Sequence, residues 1–393
     1  MRFSSEFSMT NYVVLLLVAF AGFISAADNW IASLLLPSIA NSFSVDISTA
    51  SIVLTVYLIP YGMMQPVYGF FSDKLGKARI LKCLILLLAI STFLCAQAHS
   101  LSLLTCYRFI TGFFAAGIIA VSLGILGETY DQSQLTKVVG LFLGIVFLGQ
   151  GVSAGIGGWL IEHIGWRQIF LIFSGAATIS FASLFLLPSI GLVKGQTRFW
   201  SSAFNLLRTR NLRNMYLLAF CNGFAVLGGY SFIGSYLSVC VGIDYSYVGM
   251  GLMLFGFVSF VGGFINKLFL AKFSHNIVLN IGFITSCIAL IIFSIGNVIG
   301  SYVAILMLGL GYVWVQSILA SKALELAENN KGLSSGIIGV GIFCGGGLGT
   351  LVGSSFLKYF SFSSLFIAFS VVVVVTLVFL NSKKKTLLRA RKI

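Results

Sequence analysis

Twelve long, predominantly apolar stretches run through the chain, near residues 12–38, 47–71, 80–98, 102–126, 137–161, 168–188, 213–239, 247–270, 277–296, 300–320, 332–356 and 362–381. A helix needs about 20 such residues to cross the hydrocarbon core of a bilayer. No water is present there, so each crossing segment must satisfy its own backbone polar groups, as a helix or as part of a closed barrel. Barrel strands read as segments of about 10 residues with alternating polarity. These runs are longer and apolar on every face. Charged residues make up 9% of the chain, against about 25% in soluble domains. The expectation is an all-α polytopic membrane protein with 12 transmembrane helices in two six-helix bundles.

The longest polar stretch, "SIGLVKGQTRFWSSAFNLLRTRN" around 189–212, leaves six runs on each side. The expected organisation is a bundle over 1–188, a cytoplasmic central loop over 189–212, a second bundle over 213–381 and a basic tail over 382–393. A net charge of +14 raises the question of nucleic acid, but the positive residues are divided among many short loops. With a cytoplasmic amino terminus, all 24 Lys and Arg residues fall on the cytoplasmic side except Arg108, Arg167 and Lys358. That is the positive-inside distribution. It points to lipid headgroups as neighbours and excludes nucleic acid as the partner. Small residues at Ser25 and Ala27 offer a signal-peptide cleavage site, yet the apolar run continues past Asp28 to Pro37. The first run is therefore expected to remain a span.

Glycine clusters in the fifth run, including Gly149, Gly155, Gly157 and Gly158, and again six runs later around Gly345 and Gly349. Small residues let membrane helices approach closely where burial supplies no driving force between them. These two helices are expected to form close-packed seams between the halves. The "GGGLG" run at 345–349 has neither the preceding strand nor the Gly-Lys-Ser/Thr of a phosphate loop. No cofactor and no metal are expected. The seven cysteines lack paired spacing and read as small apolar fillers.

One short loop breaks the apolar pattern. "GFFSDKLGKAR", residues 69–79, joins the second and third runs and holds Asp73 among Lys74, Lys77 and Arg79. It resembles the loop motif of the major facilitator superfamily, Gly-x-Leu-x-Asp-Arg-x-Gly-Arg-Lys-Arg, through Gly69, Asp73, Lys74, Gly76, Lys77 and Arg79. "RFITGFFAAG", with Arg108 and Gly112, is similar to the fourth-helix motif of proton-coupled members. "GQGVSAGIGGWLIEHIGWRQIF" is similar to the fifth-helix motif of exporters, with Ser153-Ala154 where Gly-Pro is usual. "ADNWIASLLLPSIANSF", with Asp28 nine residues before Pro37, resembles the first helix of drug:proton antiporters. The resemblance is strongest over residues 20–170 and implies a 12-helix carrier whose helices 1 and 4 line a central cavity. The loop would then govern conformational switching, with Asp73 docking on the positive N-terminal end of the eleventh span near Gly332–Ser335.

Two charges lie well inside the runs, Asp28 and Arg108. An ionisable side chain there costs at least about 2.5–3.5 kcal/mol and usually marks function. Asp28 lies roughly 13 Å in from Pro37, and Arg108 roughly 9 Å into its own run from the same side. The two can meet. Either they form a static pair that fixes helix register, or they work as a switch. In the switch, Asp28 takes a proton when Arg108 moves away and loses it when Arg108 returns. Candidate cavity residues are Tyr57, Tyr61, Asn222, Tyr230, Tyr312 and Gln316. The second half lacks deep charges, which suits a lipophilic or amphipathic solute.

The expected function is secondary active transport by alternating access, as proton-coupled export of a small organic solute by a functional monomer in a bacterial inner membrane. An importer of a metabolite or siderophore-like compound uses the same fold. A receptor or scaffold keeps the fold without the cycle. An enzyme is not expected, because no nucleophile–base set appears. Both termini are expected in the cytoplasm. Reporter fusions after residues 205 and 385 should both give a cytoplasmic signal, and an external signal at either contradicts the twelve-span count.

Overall fold

The computed structural model describes residues 9–188, 199–326 and 331–390. It is helical throughout, with no strand among the described residues. The first four spans are α1 (Met9–Ser42), α2 (Ile52–Leu75), α3 (Lys77–Ala96) and α4 (Leu101–Thr129). The helix Gln132–Ser183 has 52 residues. At 1.5 Å per residue it is more than twice as long as the ~30 Å core requires. Its backbone leaves helical geometry at Gly165, where φ is 78°, a conformation that costs glycine nothing. The break makes two crossings, α5 (132–164) and α6 (166–183). Trp166 and Arg167 lock the turn. The Trp166 indole donates to Ser42 Oγ at 2.9 Å at the end of α1, and Arg167 donates to the Ala98 carbonyl at 3.1 Å after α3.

The second half holds α7 (Arg210–Cys240), α8 (Tyr245–Lys272), α9 (His275–Ile295), α10 (Val298–Leu326), α11 (Lys331–Leu357) and α12 (Phe362–Ala390). Two π-helical stretches, Gly223–Leu227 and Tyr236–Cys240, interrupt α7. Such bulges widen a helix and often occur at functional sites. The stretch expected as a central loop contains a ten-residue helix, Phe199–Arg208. Its Trp200 is 80% exposed, and the Phe199 ring lies 5.2 Å from that of Phe70 at the end of α2. Residues 189–198 of the connection lie outside the described residues. The last helix runs on to Ala390, past the expected end of the twelfth span.

Six helices pack together in each half, and the halves meet along α2 with α11, α5 with α8, and α1 with α7. The seams are built on missing side chains. A Cβ on Gly256 of α8 would stand 2.7 Å from the Gly151 Cα of α5, and one on Gly336 of α11 would stand 2.8 Å from Pro66 of α2. Hydrogen bonds tie one end of the seams. Ser246 donates to Glu162 through its backbone N–H (2.9 Å) and its hydroxyl (2.6 Å), and Ser354 Oγ donates to the Ser48 carbonyl at 2.6 Å. At this end, opposite the 69–79 loop, Gly234 of α7 also lies against Ser33 and Leu34 of α1. No comparable packing joins α4 to α10 among the described residues. Among the described residues, side-chain hydrogen bonds thus join the halves at the end away from the loop, and close glycine packing reaches toward the other end at Gly336 and Pro66.

Candidate functional site

The two deep charges meet. Arg108 Nη1 donates to Asp28 Oδ2 at 3.1 Å, and each residue is 1% exposed. The second Asp28 oxygen accepts from Thr92 Oγ1, also at 3.1 Å. The carboxylate of α1 is thus held by a hydroxyl from α3 and a guanidinium from α4. Above the guanidinium lies the ring of Tyr57 from α2, with the Arg108 Cζ 4.2 Å from its centroid. A desolvated contact of that kind contributes about 2 kcal/mol.

Gly112, one turn after Arg108, explains how α2 reaches so close. A Cβ there would collide with the Tyr57 carbonyl. Backbone-to-ridge contact at this point sets the Tyr57 ring over the arginine. The tyrosine then stacks on Tyr61 (centroids 5.6 Å apart), which meets Phe343 of α11 edge-on at 4.5 Å. A second aromatic group joins the halves, with Trp30 of α1 edge-on to Tyr230 of α7 at 4.6 Å and Tyr230 4.7 Å from Phe255 of α8.

Between these groups lies a cavity of about 30 Å³ lined by Arg108, Tyr57, Asn29, Trp30, Ser33, Leu54 and Leu58 from the first half and Leu227, Tyr230, Ser231 and Phe343 from the second. Arg108 faces two ways. One nitrogen pairs with Asp28, while its Nε and Nη2 are buried without a hydrogen-bond partner, as is the Tyr57 hydroxyl. Asp28 itself does not line the cavity, whereas its partner Arg108 does.

Of the candidate cavity residues, Tyr57 and Tyr230 line this space, whereas Tyr61, Asn222, Tyr312 and Gln316 do not. Asn222 is fully buried beside the first π-stretch, with both amide atoms unpartnered. Tyr312 packs 6.0 Å from Phe255. Sequence reasoning missed Asn29, Trp30 and Ser33, although they follow Asp28 directly and share its helix. Thr92 carried no signal, since one hydroxyl in an apolar run is commonplace.

In the 69–79 loop, Gly76 has a φ of 95° and separates α2 from α3. Lys74 lies over the Phe70 ring at 4.4 Å, Gly69 is uncrowded, and Arg79 is exposed. Lys77, read from sequence as one of the loop's positive charges, is 9% exposed and ion-paired with Glu128 at the end of α4. Gly124 leaves room for it, since a Cβ there would stand 2.7 Å from Lys77 Cε. The side chains of Asp73 and Ser335 and the surroundings of Gly332, on which the docking expectation falls, lie outside the described residues. Among the packing glycines, Gly149 lies against the Phe23 backbone, Gly155 and Gly158 against α8, Gly157 against Ile31, and Gly345 and Gly349 against the α7 backbone.

Two helical bundles enclosing a central cavity, with a buried guanidinium at its wall, define a multi-pass membrane protein. The sequence profile of the Major Facilitator Superfamily matches residues 18–340. The chain belongs to that superfamily. It is 29% identical over 162 residues to the riboflavin transporter RibZ of Clostridioides difficile, a match covering 41% of this chain and 36% of that one. It is 26% identical over 157 residues to the multidrug export protein EmrB of Haemophilus influenzae, covering 40% of this chain and 31% of that one. The matches thus span about a third of these relatives. The fold is also that of the nucleoside transporter NupG (a D323A mutant), with a TM-score of 0.77, 13% identity and coverage of 94% of this chain and 99% of that one.

Gly112→Ala should push α2 off α4 and lift Tyr57 from Arg108. We expect a loss of about 1–3 kcal/mol, read by thermal unfolding in detergent, together with impaired transport. Gly127→Ala, on the same helix with open space around it, should stay within about 0.5 kcal/mol of the parent. Equal effects at the two positions would contradict the close-approach account.

Proposed function

We propose that the chain exports a small organic solute across the bacterial cytoplasmic membrane by alternating access coupled to protons, with both termini in the cytoplasm. One observation carries this reading: a buried guanidinium, ion-paired to a buried carboxylate, lines a cavity shared by the two halves. Charges at membrane depth are costly, and a scaffold gains little from them. Transporter sites of this kind lie at the interface between repeats. Outward direction is supported by the multidrug export protein among the relatives, and the aromatic lining suits a solute with a substantial apolar body.

The proton site in this reading is Asp28. Its partners come from α3 and α4, so rocking that shifts α4 against α1 changes how well the anion is stabilised. With Arg108 in place the carboxylate is matched; with Arg108 displaced, desolvation favours the protonated acid. The 69–79 loop acts at the other level, with the Lys77–Glu128 pair holding α3 to α4 so that they move as one body. Asp73 is proposed to dock across the gap between the halves, and the unit boundaries near 188 and 213 to be the hinges of the movement.

Asp28→Asn keeps size and hydrogen bonding but carries no proton. In liposomes it should lose transport driven by a pH gradient while still exchanging labelled for unlabelled solute, which needs no net proton movement. A well-folded Asp28→Asn protein with undiminished proton-driven transport would end this reading.

A further inference from the structure

We propose that the solute carries an anionic head, a carboxylate or a group of like shape, which binds the free edge of Arg108 inside the central cavity. The inference rests on the reading above that this cavity is the transport site, and it names the class of solute. Nε and Nη2 lie on the same side of a guanidinium and present two parallel N–H donors, the fork that a carboxylate meets with both oxygens. In Arg108 these are the two nitrogens without a partner, while Nη1 is engaged by Asp28. Buried donors left unpaired are costly, more so when charged. Two on one residue, at the wall of a cavity, mark a position that a ligand completes.

Other features narrow the class. Tyr57, whose hydroxyl is also buried and unpartnered, is among the residues that line the same cavity and offers a third donor. No carboxylate lines it, whereas Arg108 does. A cationic head would therefore meet a guanidinium first and be repelled. The space of about 30 Å³ fits the head of a solute and not its body. The body lies along Trp30, Leu227 and Phe343, which belong to both halves and part as the bundles rock. These surfaces favour a flat, apolar, preferably aromatic body.

The geometry also sets the sign of coupling. With the head in place one guanidinium faces two carboxylates, and a proton on Asp28 removes the surplus negative charge. The titratable neighbours of Asp28 are Arg108 of α4, Tyr57 of α2 and Cys95 of α3, and none supplies a second positive charge. Solute and proton are therefore carried together. An organic acid that accumulates inside the cell leaves with a proton, down its own gradient. The exchange implied by the resemblance to drug:proton antiporters needs instead a solute that displaces the proton.

The test uses the full-length protein in nanodiscs and three probes that share a ring system, 1-naphthoate, 1-naphthamide and 1-naphthylmethylamine. Naphthoate should bind at least about tenfold tighter than either other probe, as expected when a charge-assisted pair is gained. Tyr57→Phe should weaken naphthoate severalfold and leave the amine unchanged. Arg108→Lys keeps a cation beside Asp28, which protects the fold, but has no Nε–Nη2 edge; the preference for naphthoate should shrink to less than about threefold. In liposomes, naphthoate efflux should carry protons in the same direction. Preference for the amine, equal binding of all three, or binding of none overturns the anionic class. Preference for the amine while Asp28→Asn still abolishes proton-driven transport leaves the cavity as the transport site with a cationic solute. Unchanged proton-driven transport in Asp28→Asn removes the coupling reading itself.

Discussion

A carboxylate and a guanidinium held 3.1 Å apart at the core of the first bundle organise much of what surrounds them. Neither charge is tolerable there alone. Removing one partner from such a pair costs about 3–5 kcal/mol, because the other is left buried and unmatched. The neighbouring helices accordingly close on the pair: α3 offers Thr92, α4 thins to Gly112, and α2 uses that gap to lay Tyr57 over the arginine. The match remains incomplete on one side, where two guanidinium nitrogens lack a partner. A structure selected for stability alone would gain more from apolar side chains of similar volume.

The seams between the halves follow a different rule. Lipid tails are as apolar as leucine, so helices in a membrane gain little from burying apolar surface against each other and hold together by close packing. Backbone lies on backbone at Gly151 and Gly256, and Gly62 of α2 fits against Cys344 of α11. Smooth, weakly polar seams suit surfaces that must slide or rock. Among the described residues, hydrogen bonds from Ser246 and Ser354 join the halves on the side away from the 69–79 loop. The π-stretches of α7, beside Asn222 and on either side of Gly228–Ser235, give the second half a helix that can change register along the cavity wall.

The helices were legible because solvent dictates them: runs of apolar residues in a bilayer have few other options. The Gly165 turn was legible as an interruption between two runs. The meeting of Asp28 and Arg108 was legible from depth alone, since both were countable from the same membrane face. The orientation of Arg108 was not. Which nitrogen pairs with Asp28 and which are left unpartnered depends on Gly112 and Tyr57, and their mutual approach is a tertiary fact. The Lys77–Glu128 pair was hidden for a similar reason. A positive charge at a membrane face reads as topology, and its partner lies 51 residues away. The helix at Phe199–Arg208 was missed because its amphipathic pattern sits within a polar stretch too short to cross a membrane.

The central claim is that the pair works by changing its protonation and not by standing still. The most direct measurement replaces both charges at once with apolar residues, as Asp28→Leu combined with Arg108→Met, and reads folded yield and pH-driven transport on the same preparation. A protein recovered at near-parental yield that no longer responds to a pH gradient is the predicted result. Recovery of both yield and pH-driven transport would show that the pair is a strut, and would contradict the account.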